Sequence, residues 1–76
     1  MDYSASFKVD DFEEYESKEF PSIEKCLEFL NHKYIENRYK NKTFKWFIFD
    51  FNRSLTYGGC IEIKKNSSFI EEIKVK

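Results

Sequence analysis

The stretch from Thr43 to Phe51, TFKWFIFDF, decides the fold of this 76-residue chain. In a β-strand every second side chain shares a face, so the stretch divides into two sets. The sets are Phe44, Trp46, Ile48 and Asp50 on one face, and Lys45, Phe47, Phe49 and Phe51 on the other. Both faces carry aromatic rings, whereas a strand with one wet face alternates more cleanly. The stretch therefore predicts a strand with a surplus of apolar surface.

One further strand is predicted on each side of this stretch in the sequence. The turn Asn52-Arg53-Ser54 leads into an alternating segment, Leu55–Lys65, which is expected to return as an antiparallel partner. The adjacent glycines Gly58-Gly59 predict a bulge or a bend in that segment. Near the amino terminus, residues 3–9 alternate between apolar and polar side chains and predict another strand.

An amphipathic helix is predicted over residues 22–39. Ser22 follows Pro21 and is a suitable N-cap, and Glu24 places a negative charge in the first turn. Apolar residues recur at helical spacing and define one face. They are Ile23, Cys26, Leu27, Leu30 and Tyr34.

Two segments are ambiguous. Residues 10–19 are expected to form a loop or a short second strand. Near the carboxyl terminus Phe69, Ile73 and Val75 alternate as in a strand, although Ser68 and Glu71 also resemble a helix capping box. We favour the strand, because a helix of eight or nine residues is marginal alone. The resulting fold is α+β, a single domain over 1–76 in which the helix packs on an antiparallel sheet of three to four strands, in the order β-α-β-β-β.

The composition narrows the class of protein. Neither an apolar run long enough to span a membrane nor a signal-peptide pattern occurs, so we expect a soluble, cytoplasmic protein. Lys, Asn, Ile, Phe and Tyr are favoured over Ala, Gly and Arg, which is typical of an A+T-rich genome. A small protein of this bias suggests a phage, viral or mobile-element origin, and the cytoplasm would then be that of the host.

No pattern predicts catalysis, a metal site or a cofactor. The only histidine, His32, falls on the polar helix face, away from Cys26. Cys26 and Cys60 lie 34 positions apart without the paired spacing of a zinc site. We expect two buried, reduced thiols, although a disulfide between them stays open. The sequence predicts a protein that is not an enzyme.

Charge is unevenly distributed although the net charge is only −1. Residues 1–30 carry nine acids and three bases, whereas residues 31–76 carry ten bases and five acids. An acidic arm over residues 10–20 is either a solvated linker or a strip that docks on a basic, nucleic-acid-binding protein. Its candidate partner-binding residues are Asp10, Asp11, Glu13, Glu14, Tyr15 and Glu16.

A basic cluster surrounds the predicted end of the helix. It consists of Lys33, Arg38, Lys40, Lys42 and Lys45. Together with strand aromatics it would suit a nucleic-acid binder, which is our alternative prediction. Basic residues at the carboxyl end of a helix also have a structural role, because they interact favourably with the helix dipole.

The apolar surplus of residues 44–51 has three explanations: another part of the chain folds over it, the protein forms a homodimer there, or a partner protein binds there. Uncovered aromatic side chains are typical anchors of protein interfaces. We therefore predict a protein-binding module, an inhibitor of a host or defence protein that acts by occlusion. The candidate residues of the strand are Trp46, Phe47, Phe49 and Phe51.

Overall fold

A computed structural model describes residues 2–10 and 14–73 and shows one helix on a four-stranded antiparallel sheet. The elements are β1 (Tyr3–Val9), β2 (Glu16–Phe20), α1 (Ile23–Glu36), β3 (Thr43–Asp50) and β4 (Leu55–Glu62). The strands lie in the order β2-β1-β3-β4. The α+β class is confirmed, but the sequence order is β-β-α-β-β, because part of the acidic segment forms β2. In the described part of the chain, α1 is too short and too polar to cross a membrane.

The helix covers one face of the sheet, which we call the covered face. Its centre is formed by alternate residues of β1 and β3, which are buried as expected of strand side chains on one face. From the helix, Cys26, Leu30 and Tyr34 pack against them. The strand residues are Ala5, Phe7, Val9, Phe44, Trp46 and Ile48.

The helix begins as predicted and ends earlier. Ser22 accepts a hydrogen bond from the backbone N–H of Lys25 at 3.2 Å, which satisfies one of the free donors of the first turn. Asn37 caps the other end, where its Nδ2 donates to the carbonyl of Lys33 at 2.7 Å. Residues 37–39 therefore form a turn rather than the last helical turn that was expected.

The segment after β4 covers the part of the sheet that the helix does not reach. Phe69 is buried there, with its ring 5.6 Å from Trp46 and 5.8 Å from Tyr34. The hydroxyl of Tyr34 donates to the carbonyl of Glu62 at 2.6 Å and thereby ties the start of this segment to the helix. The expected strand over 68–75 is wrong for 68–73, which have no regular structure, while 74 and 75 lie outside the described residues.

The glycine pair and one cysteine also differ from expectation. The register of β4 on β3 runs without interruption from Glu62 to Leu55, so Gly58-Gly59 does not form a bulge. Both thiols are free, but only Cys26 is buried; Cys60 is exposed, which corrects the expectation of two buried thiols. Burial raises the pKa of Cys26 to about 11.

Candidate functional site

The face of the sheet opposite the helix is the candidate site, and we call it the open face. Its members follow from the register, because residues paired across antiparallel strands point to the same side. Tyr15, next to β2, lies on this side as well, since its ring contacts Phe47. The strand residues are Ser17 and Glu19 on β2, Ser4, Ser6 and Lys8 on β1, Thr43, Lys45, Phe47 and Phe49 on β3, and Thr56, Gly58, Cys60 and Glu62 on β4.

Four aromatic rings form a ridge on the open face: Tyr15, Phe47, Phe49 and Phe51. Tyr15 is 48% exposed, Phe47 37% and Phe51 46%, so three rings keep a large share of their surface in water. The ring centroids of Tyr15 and Phe47 are 5.6 Å apart, and those of Phe49 and Phe51 are 4.8 Å apart. These contacts hold the rings in fixed positions, as suits an interface anchor.

Small residues flank the ridge. In the row of the sheet that contains Phe47, its neighbours are Ser17 and Ser6 on one side and Gly58 on the other. None of these side chains is long enough to cover the Phe47 ring. Phe47 contacts the Tyr15 ring and lies over Gly58, yet it stays 37% exposed, so a partner could contact it without displacing a described segment.

Trp46 does not belong to this surface. The sequence predicts it, together with Phe47, Phe49 and Phe51, as a partner-binding residue, but it points to the covered face and is only 2% exposed. Phe69 and the helix-facing core enclose it. The prediction of Trp46 as a partner-binding residue is therefore wrong, whereas the other three residues lie together.

The acidic arm is divided by the sheet. Glu16 is paired with Phe7 in β2, whereas Tyr15 lies on the opposite side, on the open face. Glu14 is exposed, and Asp10 lies 3.9 Å from the amine of Lys42. Asp11 and Glu13 lie outside the described residues. The described members therefore do not form a single acidic strip.

The predicted basic cluster is divided as well. Lys33 lies on the helix, where its amine is 3.3 Å from Glu36 and 5.8 Å from the centre of the Phe29 ring. Arg38 stacks against Tyr39 in the turn that follows the helix. Lys45 lies on the open face, on the other side of the sheet from Lys33. A continuous nucleic acid would have to pass around the sheet edge to contact both lysines.

Charges on the open face balance one another. Lys8 and Lys45 are paired across β1 and β3, while Glu19 and Glu62 lie on the outer strands. The amine of Lys8 lies 5.3 Å from the centre of the Tyr15 ring, a cation–π contact. A face with two basic and two acidic residues attracts neither a polyanion nor a polycation strongly.

No catalytic arrangement accompanies the open face within residues 2–10 and 14–73. His32 is exposed on the helix, in the layer on the opposite side of the sheet. Over the same residues, no group of three or more His, Cys, Asp or Glu side chains is arranged to hold a metal ion. The candidate site is described mainly by its shape and apolar surface, and it also carries the exposed thiol of Cys60.

Comparisons with known proteins add no functional information. No family model, curated protein or solved structure matches this chain.

Proposed function

We propose that this protein is a non-enzymatic binding module that covers a surface of another protein with its open face. The observation that carries the proposal is the exposed ridge of Tyr15, Phe47, Phe49 and Phe51 on a face that no described segment covers. Large aromatic rings at the centre of a patch are the side chains that contribute most to protein binding. The small size and a composition typical of an A+T-rich genome suggest a phage, viral or mobile-element origin, and we therefore propose an inhibitor of a host or defence protein that acts by occlusion.

The size and the charges of the open face indicate what kind of partner would fit it. Four strands of five to eight residues, spaced about 4.8 Å apart, give a flat area of roughly 450 Å². Two such surfaces bury about 900 Å², just below the roughly 1,000 Å² expected of a specific interface. The partner should therefore offer a shallow apolar surface with few charges, since the open face has balanced charges of its own.

A protein partner fits this surface better than a nucleic acid. Glu19 and Glu62 lie on the same face as the aromatic ridge and offset the attraction of its two lysines for phosphates. The basic cluster does not compensate for them, because Lys33 and Lys45 lie on different sides of the sheet. Nucleic-acid binding is the outcome that would contradict the proposal.

Affinity capture with matched variants tests the proposal. The tagged protein and its Phe47→Ser/Phe51→Ser variant are used to capture proteins from the native host. Tyr39→Ser is the control, because Tyr39 is 63% exposed but lies in the turn after the helix. We expect one protein at stoichiometric yield with wild type and with Tyr39→Ser, and at least a tenfold lower yield with the double variant. Equal yields from all three would refute the role of the open face.

A further inference from the structure

The two outer strands of the sheet differ in how well they are protected against pairing with a further strand. β2 has five residues, three of which are charged: Glu16, Lys18 and Glu19. β4 has eight residues, and only Glu62 at its end is charged. β4 also lacks proline and a bulge, the other devices that discourage pairing with a further strand. Among the described strands, none pairs with its outer edge.

The backbone groups that point outward from β4 can be identified. The N–H of Ile63 donates to the carbonyl of Lys42 on the β3 side at 2.8 Å. Because hydrogen-bonded residues alternate along an antiparallel strand, odd-numbered residues of β4 bond to β3 and even-numbered residues point away. The outward groups belong to Thr56, Gly58, Cys60 and Glu62, and the carbonyl of Glu62 is already bonded to the Tyr34 hydroxyl.

A groove lies beside the carboxyl end of β4 on the covered side of the sheet. It has a volume of about 470 Å³ and a mixed lining. The apolar and aromatic residues are Tyr34, Ile61, Phe69 and Ile70, and the polar and charged residues are Glu62, Lys64, Ser68 and Glu71. Ile70 is 83% exposed, so its side chain is accessible to an added segment. An added strand would direct every second side chain toward this groove, since side chains alternate between faces.

One polar atom of the groove has no hydrogen-bond partner among residues 2–10 and 14–73. Glu71 lines the groove, and its Oε2 is buried without a hydrogen bond from any of these residues. A buried carboxylate oxygen without a donor is unfavourable, because the water it has lost is not replaced. A lysine or arginine on the occupant would supply the donor and the opposite charge.

We propose that the outer edge of β4 and this groove accept an extended segment of a partner protein as a fifth strand. Its groove-facing side chains are apolar apart from one lysine or arginine that pairs with Glu71. Outward backbone groups of Thr56, Gly58 and Cys60 provide the hydrogen bonds, as in other complexes formed by strand addition. This site uses atoms other than the aromatic ridge and goes beyond the function proposed above.

The probe for this site is a synthetic eight-residue peptide of alternating valine and threonine, with lysine in place of one central valine. Amide hydrogen exchange of the whole protein is followed by NMR while the peptide is added. Without peptide, Thr56, Gly58 and Cys60 should exchange much faster than Tyr57, Gly59 and Ile61. With peptide, the first group should slow by at least tenfold, while the second stays slow.

Two control peptides separate the contributions of backbone and charge. Methylation of alternate peptide nitrogens removes the N–H groups that would bond to β4 and should weaken binding about tenfold or more. A peptide with glutamate in place of the lysine should also bind more weakly. The difference in affinity between the lysine and glutamate peptides should be smaller for the Glu71→Gln variant than for the wild-type protein.

A pair of variants tests the edge itself. Cys60→Pro removes an outward N–H without breaking the β3 ladder, and Cys60→Ala is its control. Binding should be lost only in the proline variant.

Equal affinity for the methylated and unmethylated peptides would overturn the proposal, even if Cys60→Pro does not fold. The proposal would also be overturned if, without peptide, exchange of the Thr56, Gly58 and Cys60 amides became slower as the protein concentration increased. That result would show that a second copy of the chain occupies the edge.

Discussion

A Cβ atom added to Gly59 would lie 2.9 Å from Nε1 of Trp46, closer than side chains approach each other. On the other face of the sheet, a Cβ at Gly58 would lie 2.7 Å from the Phe47 ring. Neither glycine has a positive φ, so the pair is required for space and not for backbone conformation. The two rings of β3 lie over β4, one on each face.

Gly59→Ala should destabilise the protein by roughly 1–3 kcal/mol, because Trp46 is buried and cannot move away. Chemical denaturation monitored by circular dichroism measures this free energy of unfolding. Thr56→Ala on the same strand is the control and should change it by less than about 0.5 kcal/mol. Equal effects of the two substitutions would show that the Trp46 ring is not fixed over Gly59.

Tyr34→Phe should destabilise the protein by about 1–2 kcal/mol. The substitution removes the hydroxyl that donates to the Glu62 carbonyl at 2.6 Å and lies 3.0 Å from Oγ of Ser67. The loss should appear in thermal denaturation and as faster exchange of the Ser67 amide. Tyr39→Phe, at an exposed tyrosine, should leave both measurements unchanged.

Asp50→Ala should cost about 1–3 kcal/mol, whereas Asp50→Asn should cost much less. Oδ1 of Asp50 accepts hydrogen bonds from the backbone N–H groups of Asn52 and Arg53, at 2.9 and 3.2 Å, and so closes the turn between β3 and β4. Asparagine keeps that acceptor. If both variants unfolded at the same denaturant concentration, the negative charge of Asp50, rather than its turn hydrogen bonds, would be responsible.

The two cysteines should differ in reactivity. At pH 8, a thiol reagent should modify exposed Cys60 rapidly and leave buried Cys26 unmodified until the protein is denatured. Mass spectrometry of the modified protein distinguishes one adduct from two. Rapid modification of both thiols in the folded protein would contradict the packing of the helix on the sheet.

Cys26 also predicts a pH dependence of stability. Burial raises its pKa from 9.0 to about 11 in the folded protein, so the unfolded chain releases this proton first as the pH rises. The stabilising contribution is complete below pH 9 and should be lost progressively between about pH 9 and 11. Cys26→Ala should show a smaller decline over this range, measured by denaturation at each pH. An identical decline would exclude this contribution.

The sequence predicts the helix and three strands well because each carries its own signal. Ser22 and the spacing of Cys26, Leu30 and Tyr34 determine the helix locally. β2 has no such signal: Glu16, Ser17, Lys18 and Glu19 are all exposed, and pairing with β1 makes the segment a strand.

The carboxyl-terminal segment is the opposite of β2, because it has the sequence pattern of a strand but does not form one. Phe69 and Ile73 alternate as in a strand, but they are held by packing against the core and not by a ladder of hydrogen bonds. Tertiary contact thus overrides the local pattern there.

The candidate site was only partly predictable. Alternation alone separates Trp46 from Phe47, but it does not tell which face the helix covers, because both faces of β3 are apolar. The choice depends on the partners that the strands and the helix find in the folded protein, which the alternation does not encode. Tyr15 was predicted as part of an acidic arm, and its place beside Phe47 depends on β2.

Site-specific photo-crosslinking tests the central claim most directly, namely that the open face binds another protein. A photoreactive phenylalanine is placed at Phe49 on the open face and, as a control, at Glu28 on the exposed side of the helix. In cells that carry the gene, irradiation should yield one major protein adduct from position 49 and none of that mass from position 28. The same adduct from both positions, or an adduct with nucleic acid from position 49, would contradict the claim.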